Sequence, residues 1–378
     1  MKKINSHDSI QKTINLLTKS KSYRFGKILC ITSDYIISYL KGYVYIFNKK
    51  NNQIILKKQI ISGISKFSLF SRIFRKEPRC AALINDQECI ISHCGKVLRY
   101  NFMDNSLIEE HKYIKGMTNP LNFCVVDIPK RKDKTIYYGE YFSNKHKLPV
   151  SIYKRESSKW EKIYEFNRNT IKHIHNIVYD YYRNVFYVLT GDSDNESGIW
   201  FSDDNFKQVK PLYVGKQQCR TCMVIPTKEC LLYATDTPIE ENWIIKIFMD
   251  NMSVKSIQKI HSLPGPCIYG SKIGDQYLFS TSVEPDSSLP MWQYLLTGKL
   301  GKGIVDKYAH LFLLDKTDNI REILKGKKDF LPMGLLQFGT YQFPYNTTKN
   351  IVITTQALSI GHGKTFFLNG EQNENFTN

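Results

Sequence analysis

Two histidines separated by one residue, His173-Ile-His175, precede an acidic loop, Gly191-Asp192-Ser-Asp194-Asn-Glu196-Ser-Gly198. Alternate residues of a strand point to the same face, so both imidazoles face one way. A same-face pair could bind a metal, act as base and orienter, or bond to ladder carbonyls. Asp192 and Asp194 could supply general acid/base chemistry or recognise sugar hydroxyls. The same loop could cap its own amides or offer alternating oxygens to calcium. In Tyr138-Gly139-Glu140-Tyr141 a carboxylate sits between aromatic rings, which can raise its pKa or stack a sugar. Asp236 and Glu284 add carboxylates at turns, each close to a proline. Arg79 and Arg220 could clamp a carboxylate or phosphate with two parallel bonds, or pair with these acids. Asn242 joins the binding candidates. Cys219-Arg-Thr-Cys222 lacks a second pair at zinc spacing, so the expectation is a site with neither metal nor cofactor.

Such scattered groups need a scaffold that gathers them. Seven segments repeat one layout, an apolar strand, a polar turn and a second apolar strand, usually followed by two more. Their approximate limits are 27–60, 79–112, 121–167, 173–214, 219–261, 267–325 and 333–369. Each is rich in Val, Ile, Tyr and Phe and broken by Asn, Asp, Gly or Ser. Helical periodicity is confined to patches near 8–19 and 286–298. Four-stranded units at this spacing predict an all-β fold, a single β-propeller of seven blades, with six the alternative. The last unit lacks a fourth strand, and residues 8–17 are expected to close the ring there and remove an exposed edge. In a propeller the approaches to the first strands and the exits from the second strands meet on one rim. Arg79, His173, His175 and Arg220 fall at the former. Glu140, Asp192, Asp194, Asp236 and Glu284 fall at the latter.

The 378 residues carry 53 Lys and Arg against 35 Asp and Glu, a net charge of +18. That excess favours anionic partners. No basic block is interleaved with stacking aromatics, so nucleic acid is not the expected partner. No apolar run is long enough to span a bilayer, which leaves peripheral association with an anionic membrane open. Nine cysteines, mostly in apolar strands, fit free thiols in a reducing cytoplasm better than a disulfide framework.

His173-Ile-His175, Thr190-Gly-Asp192-Ser-Asp194-Asn-Glu196, Ser202-Asp-Asp204 and Ala234-Thr-Asp236-Thr-Pro238 together resemble the sialidase-like propellers with BNR, or Asp-box, repeats. Ser202 and Asp204 match the Ser-x-Asp of the box. The resemblance implies an enzyme of the putative glycosyl hydrolase type, tied to bacterial surface polysaccharide. The expected ligand is an anionic carbohydrate. Asp192, Asp194, Glu140, Asp236 and Glu284 would share the acid and base or nucleophile roles. His173, His175, Arg220, Arg79, Tyr138 and Asn242 would hold the sugar. The alternatives are a non-catalytic glycan- or protein-binding scaffold and a polysaccharide lyase. The lyase needs a tyrosine beside the histidines and an arginine for a uronate.

Overall fold

A computed structural model describes residues 22–23, 25–66, 68–345 and 351–368. Seven antiparallel sheets make up the ring, and six of them pair their strands in sequence order. The first strands of blades one to six are Lys27–Ile31, Ala81–Asn85, Cys124–Val126, His173–Asp180, Val224–Pro226 and Cys267–Ile273. The seventh blade takes three strands from the end of the chain: Thr340–Gln342, Ile351–Gln356 and Thr365–Leu368. Ser22 and Tyr23 pair with Phe366 and Thr365 on its outer edge. Closure therefore comes from the N-terminal side, as the strand count requires. The expected closing segment 8–17 lies outside the described residues. The seventh unit also starts later than its apolar pattern implies, because Met333–Leu336 is a short helix rather than a first strand. The patch at 286–298 holds the helix Met291–Leu296.

The second strands are apolar on both sides because neighbouring blades cover both faces of the sheet there, whereas outer strands such as Ile54–Gln59 and Ser253–Leu263 are largely exposed. Ile136 and Tyr138 pack toward blade two, while Tyr137 between them packs toward blade four. The described residues form seven buried apolar clusters, one in each gap between neighbouring blades. Burying one aliphatic or phenyl side chain in such a gap contributes roughly 1.5–3 kcal/mol. The gap between blades seven and one is sealed further by Tyr345 N–H donating to Leu29 O and by the Thr365 hydroxyl donating to Gly26 O. All nine cysteines are unpaired.

The connections from second to third strands divide the ring. In blades one and two they are two-residue turns, Lys41-Gly42 and Cys94-Gly95, all with positive φ. That is the primed geometry that suits a twisted hairpin, and it leaves no room for a side-chain constellation. In blades three to six the same connections are loops, and they carry Glu140, Asp192, Asp236 and Glu284. On the opposite side of blade four, Ser202 and Asp204 hold an Asp-box-like turn. The Ser202 hydroxyl accepts from Phe206 N–H, and Asp204 accepts from Gln208 N–H.

Candidate functional site

The core of the site is a triangle. The Nε2 atoms of His173 and His175 stand 3.2 Å apart, and each lies 3.4 Å from Asp192 Oδ1. His173 Nδ1 is 3.2 Å from Phe142 O, and His175 Nδ1 is 3.1 Å from Thr221 O. A carbonyl only accepts, so both Nδ1 atoms carry hydrogen and donate. Neutral imidazoles then turn two bare Nε2 lone pairs toward each other and toward a carboxylate. Burial disfavours a charge on His173 and lowers its pKa, although Asp192 opposes this. Three acceptors in mutual contact are satisfied by a proton shared among them or by a bound cation. Ligand atoms ~2.1 Å from a tetrahedral ion lie ~3.4 Å apart, so the triangle has the dimensions of one face of a metal site. Donation of the far N–H to a backbone carbonyl is also how metal-binding histidines are oriented.

The local sequence makes this approach feasible. The ladder shifts register between Ile174 and Asn176, so the first strand is irregular at His175. A methyl group added at Gly191 would sit 2.5 Å from His175 Cε1, so only glycine leaves the ring its place. Asp192, the next residue, turns inward. Lys172 Nζ donates to its Oδ2 at 2.6 Å, and Arg220 Nη2 lies 3.3 Å from Oδ1. Burial pushes the Asp192 carboxyl up, but an imidazole Nε2 that carries a proton and donates to it, together with the Arg220 charge, holds it well below the usual range.

Arg220 links this triangle to a second acidic group. Its Nε lies 3.6 Å from Asp236 Oδ2. Cys222 Sγ donates to the same oxygen at 3.2 Å, and Asp236 Oδ1 is buried without a partner. Burial and the adjoining carboxylate push the Cys222 thiol up, so it stays protonated. His175, Cys222 and Asp236 form a second group whose ligand atoms lie close enough together to hold an ion. Glu284 accepts from the Ser282 hydroxyl, and burial next to Asp236 raises its pKa to about 8. The Tyr141 ring lies 4.4 Å from that of His173. Arg79 stands over the Tyr141 ring at 5.3 Å, within cation–π range. A cavity of about 460 Å³ follows the axis, with Arg79, Lys27, Asn122, Asn176, Cys222 and Tyr269 in its walls.

His173, His175, Asp192, Arg220, Asp236 and Glu284 therefore converge, and Arg79 joins through Tyr141. The other four candidates lie elsewhere. Glu140 accepts from Ser151 N–H at 2.8 Å inside blade three, where burial raises its pKa to about 7. Asp194 is exposed in a short 3-10 turn, and the capping contact in that loop is made by Glu196 with Ser193. Tyr138 stacks on Tyr153 in the gap between blades two and three, its hydroxyl 2.8 Å from His111. Asn242 is a latch: its amide donates to Thr237 O and Gly303 O, and its oxygen accepts from Thr237 N–H. Lys172, Tyr141 and Cys222 belong to the cluster and were not among the site candidates, although Cys222 was weighed as half of a C-x-x-C and Tyr141 was noted beside Glu140. Cys222 carried a signal, since it stands two residues from Arg220 as His175 does from His173.

No protein-family model matches the chain, and no curated protein matches it either. Solved structures do. An oligogalacturonate lyase from Vibrio parahaemolyticus is 10% identical over 92% of this chain and 90% of its own, with a TM-score of 0.57. An oligogalacturonate lyase in complex with manganese is 10% identical over 93% of this chain and 91% of its own, with a TM-score of 0.53. At that identity the likeness is one of fold, and the chain is a seven-bladed β-propeller.

Proposed function

We propose that the protein is a metal-assisted carbohydrate-active enzyme of the polysaccharide-lyase type, acting on an acidic glycan. The observation that carries this is the triangle of His173 Nε2, His175 Nε2 and Asp192 Oδ1, whose tautomers leave three acceptors facing one point. A divalent ion held there would polarise a uronate carboxylate and acidify the hydrogen on the adjacent ring carbon. Arg220 and Lys172 make the surroundings cationic and favour an anionic sugar. Tyr141, packed against His173, would be the group that moves a proton at the reacting sugar. In the elimination, base takes the proton next to the carboxylate. That electron pair forms a carbon–carbon double bond, and the glycosidic oxygen leaves and is protonated.

The glycosidase reading needs two carboxyls flanking an open cleft. Asp236 and Glu284 are buried and engaged by Cys222, Arg220 and Ser282, and Glu140 and Asp194 point elsewhere. The fold shared with oligogalacturonate lyases, one of them holding manganese, supports the elimination reading. We place the protein in the cytoplasm on the strength of its unpaired thiols. The test is to load the purified protein with manganese or zinc and incubate it with uronate oligosaccharides. Unsaturated product absorbing in the ultraviolet is expected from the wild type and not from His175→Ala. Wild-type protein that binds no divalent metal would sink the proposal.

A further inference from the structure

Three insertions interrupt the regular ring at residues 61–79, 286–307 and 328–339. All three connect on the rim that carries the axial cluster, since they precede first strands or follow a second strand. They form one layer. Arg72, on the helix Ser68–Ile73, donates to Leu336 O and pairs with Asp329 at 2.8 Å. Arg75 donates to Gly334 O at 3.2 Å. Gly334 in turn packs against the backbone of Tyr294 and Leu295, with no space for a side chain.

The outer surface of this layer is apolar. Phe74 is 54% exposed, Trp292 66% and Phe330 96%, with Leu69, Met291 and Leu296 exposed beside them. The three insertions also hold nine Lys and Arg against four Asp and Glu. Each of the four acids already has a partner: His362 for Glu77, Lys299 for Asp286, Lys325 for Asp306 and Arg72 for Asp329. The layer therefore presents large apolar side chains within a net positive field, on a protein whose total charge is +18.

We propose that this layer docks the protein on an anionic phospholipid bilayer. Trp, Phe and Leu beside Lys and Arg are the composition of surfaces that lie in the membrane interface. Each cation near an anionic leaflet adds to the attraction. No helix among the described residues is long and apolar enough to cross a membrane, so the association is peripheral. The proposal stands independently of the chemistry at the axis, although the shared rim would bring that site to the membrane surface.

Flotation with lipid vesicles tests it. The wild type should float with vesicles of phosphatidylcholine and phosphatidylglycerol in equal parts, and not with phosphatidylcholine alone. Added salt should weaken the association. The triple variant Phe74→Ser, Trp292→Ser, Phe330→Ser should bind at least about tenfold more weakly. Arg75→Glu with Lys302→Glu should lose the preference for anionic lipid. The Trp292 emission should shift to the blue on binding, and Phe330→Ser alone serves if the triple variant does not fold. Absence of flotation, or flotation unchanged in the variants, would overturn the proposal. So would a dimer in solution that the same substitutions dissociate, because the layer would then cover a second copy.

Discussion

Blades three and four place a glycine and then a carboxylate at the same point, the exit from the second strand: Gly139-Glu140 and Gly191-Asp192. Both glycines exist to admit a neighbour. A methyl group at Gly139 would strike Ile174, and one at Gly191 would strike His175. The admitted residue decides what the acid becomes. Beside an isoleucine, Glu140 turns into its own blade, caps Ser151 N–H and carries a raised pKa near Glu165. Beside an imidazole, Asp192 turns to the axis and meets two lone pairs and two cations. The same backbone device thus yields a structural cap in one blade and a candidate ligand in the next.

Removing the imidazole should erase the difference. His175→Ala is expected to abolish metal binding, measured by elemental emission after dialysis, a larger loss than the ~10–100-fold typical of an outer-shell partner. Metal content equal to the wild type would break the comparison. Gly191→Ala should displace the His175 ring and weaken metal affinity about tenfold. Gly139→Ala should leave affinity unchanged and cost about 1–3 kcal/mol of stability through overpacking against Ile174. Titration calorimetry and denaturant unfolding separate the two outcomes.

Glu140 offers a pH test. Its pKa rises from 4.5 to about 7 in the folded protein, so the fold keeps the proton after the unfolded chain has lost it. Stability from this group is greatest below 4.5, falls as pH climbs to 7 and is level above. Glu140→Gln should match the wild type in acid and melt higher than it by pH 7, with metal binding intact. A thermal midpoint gap that does not widen between those pH values would count against the burial argument. The smallest effect is expected at Asp204→Ala, which removes the exposed bond from Gln208 N–H and should lower the thermal midpoint only slightly.

The ring was legible because strand pairs recur with turns between them, and burial on both faces leaves unbroken apolar runs. The rim was legible for the same reason: strand direction fixes which ends meet. Side-chain direction past the last paired residue was not. Tyr138 lies within its strand and packs into the gap between blades, whereas Tyr141 lies beyond it and reaches the histidines. Asp194 and Asp192 share one loop, yet only Asp192 follows directly on the strand and inherits its inward path. Asn242, a binding candidate from sequence, is instead a buried amide that satisfies itself locally on backbone carbonyls in reach. The two-residue turns of blades one and two were not distinguishable by composition from the loops of the other blades.

The two-residue pairing of Ser22 and Tyr23 with the final strand gives the molecule a seam. Six blades are each continuous pieces of chain, whereas the seventh is assembled from both ends. Among the described residues, the apolar cluster beside it, between Val352 and Ile28, is the smallest of the seven. Fluctuations that open the circle should start there, on the side of the ring away from His173 and Asp192. Breathing at the clasp can then proceed without loosening the imidazoles, and wear on the chain's ends is kept apart from the chemistry.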